Sequence, residues 1–225
     1  MAGTPEGAPV PARPLRRDAQ RNRERIIEAA HEVFAARGFA ATLDDVAHHA
    51  GVGVGTVYRR FPTKEALMEA AFADRLQEVV ALAEQACATG SAWEGLTTFL
   101  TRSARMHAAD RGLRDAVLSL GEHHFVQVEE RLAGLVGRLM ERARAERTLR
   151  PDVADTDIPI ILAMVSEVAH SCAGIRPDAY ERYLRLIIDG LRAVPGTSTL
   201  GTQLSRDDVG AVMAQCVPAI EPRRR

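Results

Sequence analysis

Residues Ala50 to Phe61 read AGVGVGTVYRRF, with glycines at positions 51, 53 and 55. Two common nucleotide-binding loops are also rich in glycine, but neither pattern matches this stretch. A dinucleotide loop needs G-x-G-x-x-G between a strand and a helix, whereas Thr56 or Tyr58 occupies the third glycine position and a helical pattern precedes the turn. A P-loop needs glycine before its lysine, and the first lysine downstream, Lys64, follows a threonine. The stretch is therefore not predicted to bind a nucleotide.

The residues on both sides of the turn predict two short helices at a steep angle. Thr42, with aspartate three residues later, is a variant of the capping box and predicts a helix that starts there and ends at Gly51 in a left-handed conformation. Val57 and Phe61, four residues apart, predict the buried face of the next helix, with Gly53 near its N-cap. Two such helices joined by a glycine-containing turn are typical of a helix-turn-helix, whose second helix enters the DNA major groove.

The composition narrows the class of protein further. A chain of 225 residues with 46% hydrophobic side chains can bury a core. Its three cysteines lie far apart, which favours neither a zinc site nor a disulfide framework. We find no apolar run of about 18 residues and no secretory signal, and we expect a soluble cytoplasmic protein. Six arginines between positions 13 and 25 form a basic arm that either binds phosphate or reflects a generally arginine-rich chain.

Helical spacing continues through the rest of the chain, so the expected fold class is all-α. We expect a disordered lead-in at residues 1–14, a helix-turn-helix DNA-binding domain at 15–65, a helical effector-binding and dimerisation domain at 66–194 and a C-terminal tail at 195–225. Within the tail, Ser205 and Asp208 predict the start of a short extra helix. The longer helices are predicted over 66–88, from Trp93 to near Gly112, over 122–147, over 158–172, and after Pro177.

The segment TLDDVAHHAGVGVGTVYRRFPTKEALMEAAF, residues 42–72, carries a specific resemblance. It resembles the N-terminal DNA-binding segment of the TetR family of bacterial transcriptional regulators, and the likeness runs from about Arg21 to Phe72. The resemblance implies an all-helical homodimer with three N-terminal helices for DNA and about six more for dimerisation and effector binding. We expect neither enzymatic activity nor a cofactor. The expected function is that of a repressor that binds a palindromic operator and is released by an unknown small molecule.

When the DNA contacts of the family are carried over by position, they fall on the N-terminus of the second helix, on the third helix and on Lys64, which follows the cap of the fourth helix. Tyr58, Thr42 and Lys64 suit phosphate oxygens, although packing between helices is an alternative for Tyr58. Arg59 and Arg60 suit guanine, and only one of them is expected to reach a base, because neighbouring helical residues point about 100° apart. Gly53 and the Arg59–Arg60 pair depart from the common pattern, which leaves the operator sequence open. The predicted DNA-binding residues are Thr42, Val54, Gly55, Thr56, Tyr58, Arg59, Arg60 and Lys64.

The last two helices of the second domain predict a dimer interface. The segment 158–172 is apolar on more than one face, and the next helix repeats apolar residues at helical spacing, so pairing the two with a partner's copies would bury the excess. An internal core helix is the alternative. A two-fold axis then predicts recognition helices about 34 to 36 Å apart. The predicted interface residues are Ile161, Met164, Val165, Val168, Tyr183, Leu184, Ile187, Ile188 and Leu191.

The effector pocket implied by the resemblance lies between the middle helices. Apolar and aromatic residues with a few polar ones are the candidates for its wall, with a plain core role as the alternative for each. The paired histidines His48–His49 and His123–His124 do not predict a metal site, because neighbouring residues diverge on a helix. The candidate effector-binding residues are Trp93, Phe99, Met106, His107, His123, Phe125, Met140 and Met164.

A second function class remains at this point: a helical small-molecule-binding or catalytic protein with a non-functional DNA module. Its acid–base candidates are His107, Glu122, His123 and Glu167. Neither a Ser/His/Asp set nor a carboxylate pair has a persuasive spacing, so an enzyme is disfavoured.

Overall fold

A computed structural model describes residues 13–118 and 126–216. These residues form ten α-helices and a short 3-10 helix, Gly38–Ala40. The one β-type pairing among them is an isolated bridge between Leu149 and Arg192, which confirms the all-α class. The helices are α1 Arg13–Arg37, α2 Leu43–Ala50, α3 Val54–Arg60, α4 Lys64–Ala88, α5 Ala92–Ala109, α6 Arg111–Leu118, α7 Val126–Ala145, α8 Asp157–Cys172, α9 Ala179–Leu191 and α10 Arg206–Cys216.

The first three helices form a module in which local signals and packing agree. The Thr42 side chain accepts the backbone N–H of Asp45, and the Asp45 carboxylate accepts the backbone N–H of Thr42, so the predicted capping box is present. Gly51 ends α2 in the left-handed conformation, with φ of 63°. The Arg25 guanidinium donates to the carbonyl of Ala50 over 2.6 Å and ties α1 to the carboxyl end of α2. Helix α2 is therefore fixed at its N-terminus by the capping box and at its C-terminus by Gly51 and Arg25.

The long helix α4 joins this module to the rest of the chain. It begins after Thr63, whose hydroxyl accepts the N–H of Ala66 as the sequence predicts. Its buried residues include Phe72 near the first module and Val79, Leu82 and Ala86 further on. Because α4 packs on α1 at one end and on α5 and α7 along its length, one helix spans both parts of the structure.

The expected helix from Trp93 to near Gly112 was wrong at its end. Helix α5 stops at Ala109, because Asp110 is extended and its carboxylate accepts the N–H of Leu113, which starts α6. Gly112 lies inside α6 rather than after a helix. A Cβ at this position would lie 2.3 Å from the Phe72 ring and 2.7 Å from the backbone of Phe34. The glycine is there because α6 packs too closely on α1 and α4 for a side chain.

Other predicted boundaries also shift. Helix α1 begins at Arg13, inside the expected lead-in, while residues 1–12 lie outside the described part of the chain. The helix predicted over 122–147 is described as α7 from Val126, and Glu122 lies outside the described residues. It ends at Ala145, two residues early, and Arg147 takes a left-handed backbone with φ of 57°.

The segment after α9 folds back on the helices. The Arg150 side chain donates to the carbonyl of Ser198 over 2.6 Å and to both oxygens of Asp152, and Asp152 in turn accepts the N–H of Leu200. These hydrogen bonds lower the pKa of Asp152, with the contact to Arg150 as the largest cause. The predicted short helix is α10, with Ser205 in a capping box with Asp208. This part of the predicted tail is therefore attached to the preceding helices.

The packing at Gly112 predicts opposite effects for the same substitution at two glycines. Gly112→Ala should destabilise the protein by about 1–3 kcal/mol through overpacking. Gly137→Ala, in α7 with open space at its Cβ, should be neutral or stabilise by up to about 1 kcal/mol, because alanine favours a helix over glycine. Urea unfolding of both variants at one protein concentration measures the two changes. Equal effects would contradict the close approach of α6.

Candidate functional site

Helix α3 presents a polar outer face to solvent. Val57 is fully buried and Phe61 nearly so, while Val54, Tyr58 and the two arginines Arg59 and Arg60 are exposed. The N-cap is Gly53, which makes no side-chain hydrogen bond. The predicted orientation is confirmed, and the exposed face is free for a flat or grooved partner surface. The exposure of Tyr58 also argues against its alternative role as a residue packed between helices.

The two arginines give this face its charge. The Arg59 Nε donates to the carbonyl of Gly55 over 3.2 Å, so the side chain lies back along its own helix. Gly55 has no side chain and open space at its Cβ position, so a partner surface can approach the helix backbone closely beside Arg59. A guanidinium in this position can leave its backbone acceptor for a bidentate contact with guanine, because the bond it gives up is solvent-exposed.

Thr42 and Lys64 are less available than the sequence suggests. The Thr42 hydroxyl donates to the Asp45 carboxylate over 2.7 Å, so its proton is used within the capping box. Lys64 is half-buried, its ammonium lies 6.0 Å from the centre of the Phe34 ring, and burial is the main cause that lowers its pKa. Both residues border the N-terminus of a helix, where backbone N–H groups favour an anion.

Two arginines of the basic arm stabilise the module itself. Arg25 is bonded to Ala50 as described above, and the Arg23 guanidinium lies 5.6 Å from the centre of the Phe61 ring. The arm therefore serves the packing of α1 against the helix-turn-helix, and its further arginines extend along α1 toward Arg13.

Comparison with known families decides the identity of this arrangement. Residues 26–71 match the model described as bacterial regulatory proteins, tetR family, and residues 91–193 match the model described as transcriptional regulator SbtR-like, C-terminal domain. A TetR transcriptional regulator of known structure from Streptomyces coelicolor is 32% identical; the match covers 76% of this chain and 99% of that chain, with a TM-score of 0.50. This chain belongs to the TetR family.

Two further relatives of this TetR-family chain show how far the likeness extends. The HTH-type transcriptional regulator SrpR of Pseudomonas putida is 46% identical over 65 residues, which span 28% of this chain and 30% of that relative. The regulator FadR of Bacillus subtilis, whose structure was solved in complex with stearoyl-CoA, is 18% identical with a TM-score of 0.57 over 74% of this chain and 98% of that chain. The first is similar over a short part of both chains, and the second shows the fold alone.

The second part of the TetR-family chain contains a cavity of about 170 Å³. Its wall is mostly apolar and is built from α5, α6, α7, α8 and α10, with Val79 of α4. Among the polar groups in the wall are His107, Arg114, Thr156 and Ser166. An engineered cavity of about 150 Å³ binds benzene, so this volume suits a small organic molecule.

Of the candidate effector residues, the structure places Phe99 and His107 in the wall of this cavity. Trp93, Met106 and Met140 pack in or against the core instead, and the Arg192 guanidinium covers the Trp93 ring at 4.8 Å. His123 and Phe125 lie outside the described residues. Met164 is on the surface. Sequence reasoning predicted the helix α10 but assigned neither its residues nor Arg114 to the cavity wall, because helical spacing does not separate a core position from a cavity wall.

The predicted interface residues divide into two groups. Ile161, Val165, Leu184 and Leu191 are buried within the protomer and contribute to its core. Met164 and Tyr183 are exposed by 51% and 48%, and Val168, Ile187 and Ile188 are partly buried. Leu186, which the sequence analysis did not single out, is exposed by 59%. The exposed large apolar residues of α8 and α9 are therefore Met164, Tyr183 and Leu186.

Two remaining sequence observations concern metals and membranes. The described residues contain no group of three His, Cys, Asp or Glu side chains placed to hold a metal ion, and His49 pairs with Glu32. In the same part of the chain, no helix combines the length and apolar character needed to cross a membrane.

His107 predicts a pH dependence of stability. Burial, with smaller contributions from Arg114 and His170, lowers its pKa from 6.5 to about 4. Between these two values the unfolded chain binds a proton that the folded chain does not, so the free energy of unfolding falls as the pH drops. From pH 7 to pH 5 the wild type should lose about 2 kcal/mol more than His107→Gln, which lacks the titrating ring. Urea unfolding at both pH values measures this, and equal losses would contradict it.

Proposed function

We propose that this protein is a transcriptional repressor that binds a palindromic operator as a dimer and leaves it when a small molecule occupies the cavity. The observation that carries the proposal is the outward face of α3, where exposed Tyr58, Arg59 and Arg60 lie opposite a buried Val57. A rigid helix with this division can enter the major groove without loss of its own core. As a regulator of bacterial DNA it would act in the cytoplasm.

In this proposal each predicted contact has a distinct role. Arg59 reads a guanine through a bidentate contact, while Arg60 and Tyr58 bind phosphate or the groove edge. Val54, Gly55 and Thr56 lie in the first turn of α3 and set how closely the helix approaches the bases. The Thr42 hydroxyl is held in the capping box, so at this position the N-terminus of α2 favours the phosphate. Lys64 adds a positive charge beside the N-terminus of α4.

Helix α6 supports the coupling between cavity and DNA. Arg114 and Val117 of this helix line the cavity. On its other side, α6 packs on α1 and on the 3-10 helix at Gly38, and its Gly112 contacts Phe34 and Phe72. A ligand that displaces α6 would therefore shift the DNA-binding module of one protomer relative to that of its partner in the dimer. Coupling energies between such sites are typically about 1–3 kcal/mol.

The alternative, a catalytic helical protein, has less support. Glu167, one of its acid–base candidates, is held by Arg114 over 2.7 Å and by Ser171 over 3.2 Å. His107 is buried and contacts Ser166, which leaves these two candidates in separate contacts. Glu122 and His123 lie outside the described residues.

The DNA proposal is tested on an operator selected from random duplexes. Arg59→Ala should reduce the preference for the selected site over a scrambled site by about 5- to 150-fold, because a bidentate arginine contributes about 1–3 kcal/mol of discrimination. Lys64→Ala should weaken both duplexes alike and reduce the salt slope by about one unit. Fluorescence anisotropy over a salt series measures both effects. Equal losses on both duplexes for both variants would contradict the assigned roles, and no selected site at all would contradict the proposal.

The dimer proposal is tested at the exposed apolar residues of α8 and α9. Leu186→Glu should give monomers at micromolar concentration and weaken binding to a full operator, because the carboxylate would be buried without a partner. Leu204→Glu is the matched control, since Leu204 is also exposed but lies between α9 and α10. Sedimentation velocity reports the oligomeric state. A wild-type protein that is monomeric at this concentration would contradict the proposal.

A further inference from the structure

The wall of the cavity contains buried polar atoms that lack hydrogen-bond partners. His107 is only 3% exposed and lines the cavity, and its Nε2 is buried without a partner among the described residues. The Nε of Arg114, also in the wall, is likewise buried and unbonded in this part of the chain. Buried polar atoms are costly when left unpaired. The Thr156 hydroxyl oxygen is a third such atom in the same wall, and together the three indicate polar atoms supplied by a ligand.

The hydrogen bonds around His107 define which group it can receive. The Ser166 hydroxyl donates to the carbonyl of Leu162 over 2.7 Å. Its oxygen also lies 3.4 Å from the His107 Nδ1, and since the hydroxyl proton is already used, we assign the imidazole proton to Nδ1. A neutral imidazole with its proton on Nδ1 has a bare acceptor at Nε2. The ligand must therefore offer a donor to His107.

Arg114 requires the complementary property. Its Nε–H is a donor without a partner, while its terminal nitrogens lie 2.7 Å from Glu167 and 3.8 Å from Asp115. A ligand atom that also accepts would satisfy this N–H. A hydroxyl group both donates and accepts, so one group supplies what each of the two atoms lacks.

Each arginine of the cavity wall is paired with a carboxylate, and Glu129, a further acidic residue of the wall, is exposed to solvent. The positive charge of Arg114 is answered by Glu167 and Asp115, and that of Arg206 by Asp155 over 2.7 Å. A carboxylate would also place its lone pairs against the acceptor of His107. An ammonium would be buried beside the Arg114 guanidinium, and the two positive charges would repel each other. An uncharged molecule avoids both costs.

Helix α10 forms a further part of the cavity wall. Val209 and Met213 are buried against Ile160 and Ala163 of α8, and both line the cavity with Gly210. This helix follows residue 193, where the match to the C-terminal family model ends. Along α8 the wall extends from Ile158 to Ser166, a rise of about 12 Å, so the site is elongated and mostly apolar.

We propose that this cavity binds an uncharged alcohol with an elongated apolar body, with the hydroxyl between His107 Nε2 and Arg114 Nε and the body covered by α10. The inference rests on the proposed function in that the bound alcohol would be the molecule that releases DNA. The binding itself needs no DNA.

The first experiment compares probes of one length by calorimetry on the full-length protein at neutral pH. The probes are n-octanol, heptyl methyl ether, octanoate and octylammonium. Octanol should bind at least tenfold more tightly than the ether, which accepts but cannot donate, and at least tenfold more tightly than either ion. An ether or an ion that binds as tightly as octanol would overturn the proposal, as would the absence of octanol binding.

The second experiment uses variants to test the contact with His107 and the contribution of α10 to the cavity wall. His107→Phe keeps an aromatic ring without the acceptor, so the preference for octanol over the ether should fall to near one. Gly210→Phe should reduce octanol binding at least tenfold, because Gly210 lines the cavity and has open space at its Cβ position for the larger side chain. Gln215→Phe, at an exposed position of α10, is the matched control and should bind octanol normally. Normal binding by Gly210→Phe would overturn the contribution of α10 to the site, even if the variant at His107 fails to fold.

Adding operator DNA separates the two proposals. Octanol that binds with the expected selectivity but leaves the DNA complex intact would support this site and contradict release by the ligand. Operator binding without any octanol binding would overturn this site and leave the DNA proposal in place.

Discussion

The close packing of α6 against α1 and α4 is the constraint on which the rest of the structure depends. It brings a helix that lines the cavity into direct contact with the module that carries the recognition helix. The contact is tight because Gly112 has no side chain to keep the Phe34 backbone and the Phe72 ring away. A looser contact would leave the two parts connected through α4 but without a shared packed surface. Packed surfaces of this kind transmit small displacements because they do not deform continuously.

The recognition helix is short and receives little stability from its own hydrogen bonds. Seven residues are too few for an isolated helix in water, so its position comes from Val57 and Phe61, from the left-handed turn at Gly51, and from the capping box that fixes α2. These contacts occupy one face and leave the other without a structural role. The exposed face can therefore vary with the operator while the module keeps its fold.

The unpaired polar atoms of the cavity wall are costly for the protein. Leaving a buried donor or acceptor without a partner costs about 1–3 kcal/mol, and His107 and Arg114 each contribute such an atom. A leucine in place of His107 would avoid that cost. Groups of this kind in an otherwise apolar wall are more easily explained by recognition than by stability, and their protonation pattern is what favours a donor in the ligand.

The sequence by itself determined the features that depend on neighbouring residues. The caps at Thr42, Thr63 and Ser205, the turn at Gly51 and the inward direction of Val57 follow from short-range hydrogen bonds and helical spacing, and the structure confirms them. The likeness of residues 42–72 to the TetR family is of the same local kind.

Only the tertiary structure decided what each apolar residue is for. Gly112 resembled a helix end in the sequence, but it is a contact point inside α6, because the reason for it lies on two other helices. Val165 and Leu184 had the spacing of an interface and are buried in the core, whereas Phe99 lines a cavity and Met140 does not. Helical periodicity shows that a residue faces inward or outward on its own helix. It does not show which surface, cavity or partner is on the other side, since that depends on residues far away in the chain.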